Sequence, residues 1–593
     1  MAHEWRESWK CQICLAILLL LFLAVGARCV YLQIYRHDDF VKRAQRQQLK
    51  IIPQSARRGL IVDRNGIVLA QSVQKLSVAL DPGLVKDVRR TARKLGTALS
   101  LNADILHKEI LTRKHKRFLW VKRFVSRQEQ EALAELDLPG LILQKEYWRE
   151  YPMGTLAAHV IGFTDIDGKG LEGTEASMEE YLGCKTGQWL LRSDVGRRPI
   201  GAHSQCQGGE NGKTVILTLD ITIQACLEEQ LQQTVEKFNA SGASGIVMDP
   251  QTFEVLALAN FPTFDPGQAR KTPPDLRRNR ALTDPVEPGS LFKPFTIASA
   301  IEGGYVTLGQ KIDCLEGPYS GKGIGVIREY KYYFGSINVA DVIIRSSNIG
   351  TAKIARKMGK KYFYPMIKKF GFGQKTGIDL PGEGSGILVP LKEWKWGEYA
   401  LTRASYGQGP IAATPIQLVR AFSILANGGR KGRPTVVKGV LSTDGSQQIE
   451  ETNPSGGDDS ELGPMPNVVS EKIARDLVNK ALQGVVERKG GTAHNAFIEG
   501  YGVFGKTGTA QVPLKDGRGY EPNKYVSSFM AGAPAENPRV CVLFMVREPD
   551  RSLGLGYTGG AVAASAVGQV VNQTLAYLGV EKKKTSGPLA YND

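Results

Sequence analysis

Residues 11–27 carry no charge and centre on Leu15-Ala16-Ile17-Leu18-Leu19-Leu20-Leu21-Phe22-Leu23. A run of seventeen residues is the short limit for a helix that spans a bilayer, and inside lipid a backbone can satisfy its own polar groups only as a helix or a closed barrel. Arg28 can snorkel to the interface, and Val30, Tyr31, Leu32 and Ile34 extend the apolar character. The segment is read as an uncleaved membrane anchor that, with a short leading tail, occupies residues 1–30. The rival is a cleaved signal peptide, since Val25-Gly26-Ala27 resembles a small-residue cleavage site. Arg6 and Lys10 precede the run, whereas Arg28, Arg36, Lys42, Arg43 and Arg46 follow it. The charge rule alone would keep the large portion inside, but large domains cross regardless of flanking charge.

The remaining length is too great for one hydrophobic core, so two or three domains are expected. The net charge of +17, from 76 basic and 59 acidic residues, suits nucleic acid, an anionic membrane surface or an anionic polymer. No nucleic-acid motif is present, and the densest basic cluster, Arg113-Lys114-His115-Lys116-Arg117 with Lys122-Arg123, reads as a solvated face. Eight cysteines over 593 residues do not make a disulfide framework. Cys11 and Cys14 lie inside the apolar run, and no H-E-x-x-H or other metal-ligand spacing occurs, so neither metal nor cofactor is implied. No histidine falls within ten residues of Ser290, so nothing local supports a Ser-His-Asp triad.

Residues 31–212 mix short strands and helices. Residues 59–70 read as a hairpin about the Asn65-Gly66 turn. Residues 88–112 have helical spacing, split near Asn102. Arg149-Glu150-Tyr151-Pro152-Met153-Gly154 reads as a loop, Gly170-Leu171-Glu172-Gly173-Thr174-Glu175 as the start of a polar helix, and residues 205–213 as a linker. A second domain begins near Thr214, with a strand at 215–219, an amphipathic helix at 221–238 and a hairpin at 245–258. Helices follow at 339–344, 349–358 and 469–486, and residues 443–464 form an acidic surface insertion. Strand-like runs at 501–512, 526–531 and 539–546 precede a closing helix at 562–578 and a tail begun by Lys582-Lys583-Lys584. Strands, many helices, then strands imply an α/β (α+β) domain. Its antiparallel sheet lies between helices and is closed by pairing of the first and last segments.

Glu287-Pro288-Gly289-Ser290-Leu291-Phe292-Lys293-Pro294 puts a hydroxyl and an amine three residues apart where a turn becomes a buried helix. A serine needs a base to become a nucleophile. A buried lysine beside a second cation can become one. Taken alone, Ser-x-x-Lys is a common accident, and Ser72-Val73-Gln74-Lys75 is a second copy. Two further clusters complete a pattern. Ser346-Ser347-Asn348 sits in a helix–helix break, and Lys506-Thr507-Gly508-Thr509 sits in a strand, where Lys506 and Gly508 share a face. Ser100-Leu101-Asn102, Ser336-Ile337-Asn338, Lys185-Thr186-Gly187 and Lys375-Thr376-Gly377 are decoys by context. The order S-x-x-K, S-x-N, K-T-G is that of penicillin-binding proteins and serine β-lactamases.

On these residues the chain resembles the class B penicillin-binding proteins, the membrane-anchored D,D-transpeptidases of peptidoglycan synthesis. The likeness extends to Arg58-Gly59 with Asp63-Arg64-Asn65-Gly66, Arg149 with Tyr151-Pro152-Met153-Gly154, Gly170-Leu171-Glu172, Asn279-Arg280-Ala281, Gly407-Gln408-Gly409 and Thr414-Pro415-Ile416-Gln417-Leu418. The compact first domain and the absence of C-terminal repeats look more like the division and sporulation (FtsI/SpoVD) branch than the elongation branch. The resemblance implies an anchor at 1–30, an elongated pedestal at 31–212, a transpeptidase domain at 213–580 and a tail at 581–593, with the catalytic domain outside the membrane. It implies that Ser290 attacks the penultimate D-Ala of a D-Ala-D-Ala stem peptide with Lys293 as base. Ser346 would relay a proton to the leaving amine, and Asn348 would hold the peptide and Lys293. Lys506 would supply the positive charge that keeps Lys293 neutral. Thr507, Gly508 and Thr509 would form the substrate-binding strand, the two threonines taking the terminal carboxylate. The N–H groups of Ser290 and Thr509 would form an oxyanion hole, where one donor is worth about 3–4 kcal/mol. Expected partners are the stem peptides, β-lactams as mimics of the donor, the membrane, and a SEDS-type glycan polymerase within a division complex.

Three other readings keep the same motifs: a β-lactamase, which needs no pedestal; a carboxypeptidase, which uses water as acceptor; and a scaffold subunit with a silent site.

Overall fold

The computed structural model describes residues 4–54, 56–185, 187–192, 206–207, 209–330, 332–394, 397–441, 449–450, 467–514 and 519–583. Most of the expected acidic insertion, part of the expected linker and the end of the tail lie outside the described residues. Contacts group the chain into two compact units, Met1–Arg57 with Cys184–Asn211, and Arg58–Gly183 with Gly212–Asp593.

In the first unit, a helix over Glu4–Val30 runs through a π-turn at Tyr31–Tyr35 into a helix over His37–Gln48. Its stretch Trp9–Tyr35 is the one helix among the described residues long and apolar enough to cross a membrane, and none of it is buried. That is the form of a single-pass anchor. Leu49–Gln54, Gly187–Arg192 and Cys206–Gln207 make a three-stranded antiparallel sheet in that order.

The second unit is built on a five-stranded sheet in the order Val255–Phe261, Gly242–Met248, Val540–Arg547, Tyr520–Ala533, Phe504–Pro513. Every pairing is antiparallel, and the first segment, Gly242–Met248, pairs with the last, Val540–Arg547, as the element order predicts. Gly242–Met248 is buried along its whole length, so both faces must be covered. Gly245 lies against Leu227 of the helix Ile221–Phe238. Met248 points the other way and meets Ser423 of the helix Pro415–Ala426. The sheet is thus sandwiched between helices. The strand Phe504–Pro513, which carries Lys506 to Thr509, is the outer edge.

A second sheet runs Ile449–Glu450, Val437–Leu441, Thr214–Leu217, Ile61–Val62, Val68–Leu80, Leu119–Lys122, with Leu141–Glu150 also paired to Val68–Leu80. Thr214–Leu217 pairs in parallel with Ile61–Val62 on one side and antiparallel with Val437–Leu441 on the other. The hairpin at Asn65-Gly66 forms as read, with Gly66 at φ +86. Helices Val88–Leu99 and Ala103–Thr112 flank Asn102, whose side chain caps the second.

Three local expectations change. Arg149 and Glu150 end the strand Leu141–Glu150 instead of opening a loop. The cause is the buried Glu175. It accepts Arg149 Nε at 2.6 Å and Arg58 Nε at 2.6 Å and is fully buried, as the two arginines nearly are. Gly170–Glu172 is a short strand, and the helix begins after it, at Gly173–Ser177. The helix expected over 469–486 is Glu471–Leu477, a π segment Val478–Leu482 and Gly484–Glu487 in succession. One extra residue in the turn is a break that periodicity does not report.

Candidate active site

Ser290 lies in a 3-10 turn, Gly289–Phe292, that runs straight into the helix Lys293–Glu302. Pro294 falls in the first turn, where its missing N–H costs nothing. Phe292 and Phe295 anchor this element in a cluster with Phe363, Phe370 and Phe372, all buried. Gly289 has φ +53, and a Cβ there would come within 3.1 Å of the Thr509 carbonyl. A left-handed residue at a close backbone approach suits glycine. The turn is held from behind. The Gly289 N–H donates to the Gly407 carbonyl at 3.0 Å, and Glu287 Oε1 accepts the Gly409 N–H at 2.9 Å. Glu287 also accepts from the Tyr520 hydroxyl at 3.1 Å.

The three clusters meet. Lys293 Nζ donates to Ser346 Oγ at 3.1 Å, to the Ser346 carbonyl, and to Asn348 Oδ1 at 2.8 Å. Lys506 Nζ donates to the same Ser346 Oγ at 2.9 Å and to the Thr507 carbonyl at 3.2 Å. Ser290 is part exposed, while both lysines are fully buried. An ammonium has three donors, and Lys293 spends all three on Ser346 and Asn348. The Ser290 hydroxyl, towards which the i, i+3 spacing points Lys293, is not among its partners. A neutral amine has two N–H and a lone pair, so loss of one proton must free one of these contacts.

Electrostatics follow from burial. Desolvation brings Lys293 from 10.5 down to about 7, against the opposing pull of Glu329 and Cys314. Lys506 is pushed well below its ordinary value, first by burial and then by the charge of Lys293. Burial is thus the first cause for both lysines; Lys293 meets three acceptors and a nearby carboxylate, Lys506 two neutral acceptors.

Ser346 adopts φ +60, unusual for a residue with a Cβ, between the helices Val339–Ile344 and Asn348–Met358. Its oxygen takes two lysine N–H donors, which fill both acceptor positions of a hydroxyl and leave its own O–H free to donate. In the edge strand, Lys506 and Gly508 face the Ser290 turn. A Cβ on Gly508 would lie 2.7 Å from Leu291 Cγ. Thr507 and Thr509 face the other way. The Thr507 hydroxyl pairs with Thr492 at 2.7 Å, and Thr509 Oγ1 accepts the Gly559 N–H at 3.2 Å, keeping its own hydrogen available.

The decoys separate on geometry. Ser72 and Lys75 lie on the strand Val68–Leu80, where residues three apart face opposite sides. Lys75 stacks on Trp148 and Ser72 donates to the Arg58 carbonyl. Thr376 donates to Glu383 within a loop. Ser336 lies in the strand Ser336–Asn338, and Asn102 is a helix cap. Sequence reasoning missed Glu329, whose carboxylate meets the start of the Asn348 helix, along with Thr492 and Gly559. None belongs to a local pattern, so no sequence signal was available.

Residues 243–572 match the family described as "Penicillin binding protein transpeptidase domain", and residues 53–217 match "Penicillin-binding Protein dimerisation domain". The chain is 33% identical over 582 residues to the probable peptidoglycan D,D-transpeptidase PenA of Neisseria meningitidis, covering 98% of this chain and 94% of that one. It is 31% identical over 587 residues to the peptidoglycan D,D-transpeptidase FtsI of Escherichia coli K12, with 98% and 93% covered. The crystal structure of penicillin binding protein 3 from Mycobacterium tuberculosis, complexed with aztreonam, aligns at TM-score 0.67 and 27% identity over 91% of this chain and all of that one.

Proposed function

Since this chain belongs to the class B penicillin-binding proteins, in their division and sporulation branch, we propose that Ser290 is the acyl-accepting nucleophile of its peptidoglycan D,D-transpeptidase reaction. The observation that carries this reading is the convergence of Lys293 and Lys506 on one hydroxyl, Ser346 Oγ, beside the Ser290 turn.

The steps follow from the donors and acceptors. Neutral Lys293 takes the Ser290 proton as Oγ attacks the penultimate D-Ala carbonyl of a stem peptide. The oxyanion forms between the N–H groups of Ser290 and Thr509, whose backbones approach at Gly289. Collapse breaks the peptide bond. The free O–H of Ser346 donates to the leaving amine, D-Ala departs, and Ser346 is reprotonated by Lys293. An amine from a neighbouring stem then attacks the acyl-serine, its proton returns by the same path to Ser290 Oγ, and a crosslink results. Asn348 holds the donor's amide and Lys293. Thr509, and Thr507 beside it, bind the terminal carboxylate on the edge strand, with Gly508 keeping that strand close.

A β-lactam presents the same acyl group in a ring, so it acylates Ser290. The assignment of 1–30 as anchor, 31–212 as pedestal, 213–580 as transpeptidase domain and 581–593 as tail belongs to the same proposal. So do the extracytoplasmic placement of the catalytic domain, a septal role, and partnership with a SEDS-type polymerase in a division complex. The test is mass spectrometry of the full chain with penicillin. A stable adduct on the peptide bearing Ser290, absent from Ser290→Ala, is expected. An adduct elsewhere, rapid turnover of penicillin, or none at all would overturn the reading.

A further inference from the structure

We infer that Glu329 is a positioning residue for acylation: its carboxylate grips the first turn of the Asn348–Met358 helix and so fixes Asn348 against Lys293. The inference rests on the reading of Ser290 and Lys293 as the acylating pair.

A helix begins with backbone N–H groups that have no partner in the helix. Here the Ser347 side chain caps one, accepting the Gly350 N–H at 2.9 Å. The Ser347 hydroxyl in turn donates to Glu329 Oε1 at 2.5 Å. Asn348 N–H donates to Glu329 Oε2 at 2.8 Å, and Ile349 N–H donates to Oε1 at 3.0 Å. One carboxylate therefore binds three donors, in the position where negative charge complements the helix dipole. The neighbouring carbonyl, of Arg328, accepts Asn348 Nδ2 at 2.9 Å. A carboxamide whose nitrogen faces a carbonyl must turn its oxygen the other way, and Asn348 Oδ1 meets Lys293 Nζ at 2.8 Å. Arg328 and Glu329 thus hold Asn348 by backbone and side chain at once. The same carboxylate holds Ser347, the residue between Asn348 and the left-handed Ser346.

Glu329 acts on Lys293 by charge as well. The groups bearing on the Lys293 amine by charge are Glu329 and Cys314, which favour its charged form, while Lys506, itself held well below its ordinary value, meets the same Ser346 hydroxyl. Asp313 and Lys353 lie behind Cys314. Removal of the Glu329 charge should make Lys293 easier to deprotonate even as Asn348 loosens, and a merely structural residue would not produce this pairing of effects.

The experiment measures the second-order rate of acylation by fluorescent penicillin against pH for the full chain in detergent, comparing wild type, Glu329→Gln and Glu329→Asp, with melting temperature alongside. In Glu329→Gln a carboxamide nitrogen must face the Asn348 N–H, so the alkaline plateau should fall about tenfold, the equivalent of one lost buried hydrogen bond, while the midpoint moves to lower pH. Glu329→Asp keeps the charge. It should hold the wild-type midpoint and recover part of the rate. An unchanged rate and midpoint in Glu329→Gln, or a rate loss matched by loss of fold with no shift of midpoint, would overturn the inference. Ser290→Ala separates the two levels: if wild type is not labelled at Ser290 the underlying reading fails, and if it is but Glu329→Gln behaves as wild type, only the role of Glu329 fails.

Discussion

Replacing Gly508 by alanine adds a single methyl at the point where the edge strand meets the Ser290 turn. That methyl would sit 2.4 Å from Ser528 Oγ and 2.7 Å from Leu291 Cγ, with Leu291 Cδ2 at 3.3 Å. Ser528 can rotate its hydroxyl away. Leu291 cannot retreat, because it is fully buried and belongs to the turn that carries Ser290. Relief to an ordinary contact needs roughly 1 Å of separation between strand and turn. Overpacking of this kind costs about 1–3 kcal/mol of stability. The larger effect falls on chemistry, since the same movement pulls the Thr509 N–H away from the Ser290 N–H, and a 1 Å misplacement can cost about 100-fold in rate. Acylation by fluorescent penicillin and thermal unfolding should be measured together on Gly508→Ala, Leu291→Ala and the double variant. The expected result is a rate loss in Gly508→Ala much larger than its loss of stability, partly reversed in the double variant because the clash is gone. A Gly508→Ala enzyme that acylates and melts like wild type would refute the claim that this contact sets the oxyanion geometry.

Acylation should rise with pH through about 7 as Lys293 loses its proton, and in Lys506→Met the midpoint should stay near that value; a rise of about one unit or more would show that Lys506 charge sets it after all. Both lysines titrate lower folded than unfolded, so the folded state binds fewer protons. Burial of Lys293 therefore destabilises the fold fully below about 7, and burial of Lys506 acts in the same sense, a cost that fades as pH climbs toward the unfolded value of about 10.4. Lys506→Met should flatten that rise of unfolding free energy with pH, and an equal slope in both proteins would contradict it. Glu175→Ala leaves Arg149 and Arg58 without their shared buried carboxylate and should lose about 3–5 kcal/mol of stability by denaturant titration; a change within error would mean the pair is solvated. Ser72→Ala with Lys75→Ala should leave penicillin labelling unchanged, and reduced labelling would give the second S-x-x-K a role.

Much of the architecture was legible because it follows from local pattern. The helix Ile221–Phe238 has the bounds its periodicity predicts, and the break at Arg345 to Asn348 falls between two helices as the small polar residues suggest. Element order predicted that Gly242–Met248 would pair with Val540–Arg547. What was not legible is what tertiary contact decides. Glu329 caps a helix eighteen residues away from Ser347, which no capping rule of the S-x-x-E kind can find. Glu287 supports the Gly409 loop 122 residues later. The acceptors that Lys293 and Lys506 each meet, and the hydroxyl of Ser346 that they share, are set in space and cannot be read from spacing.

The strand Thr214–Leu217 sits where a reader of the sequence would cut the chain, yet it is stitched to Ile61–Val62 before it and Val437–Leu441 long after it. Severing the chain there would not release two modules. It would bare a raw strand flank on the catalytic piece, a template for mispairing with other chains, and strip Asp63 of its hold on the Ile221 N–H. The two halves named by their motifs should therefore be inherited, and should melt, as one body; exchange between relatives is expected to tolerate crossovers in surface loops far better than at this apparent boundary.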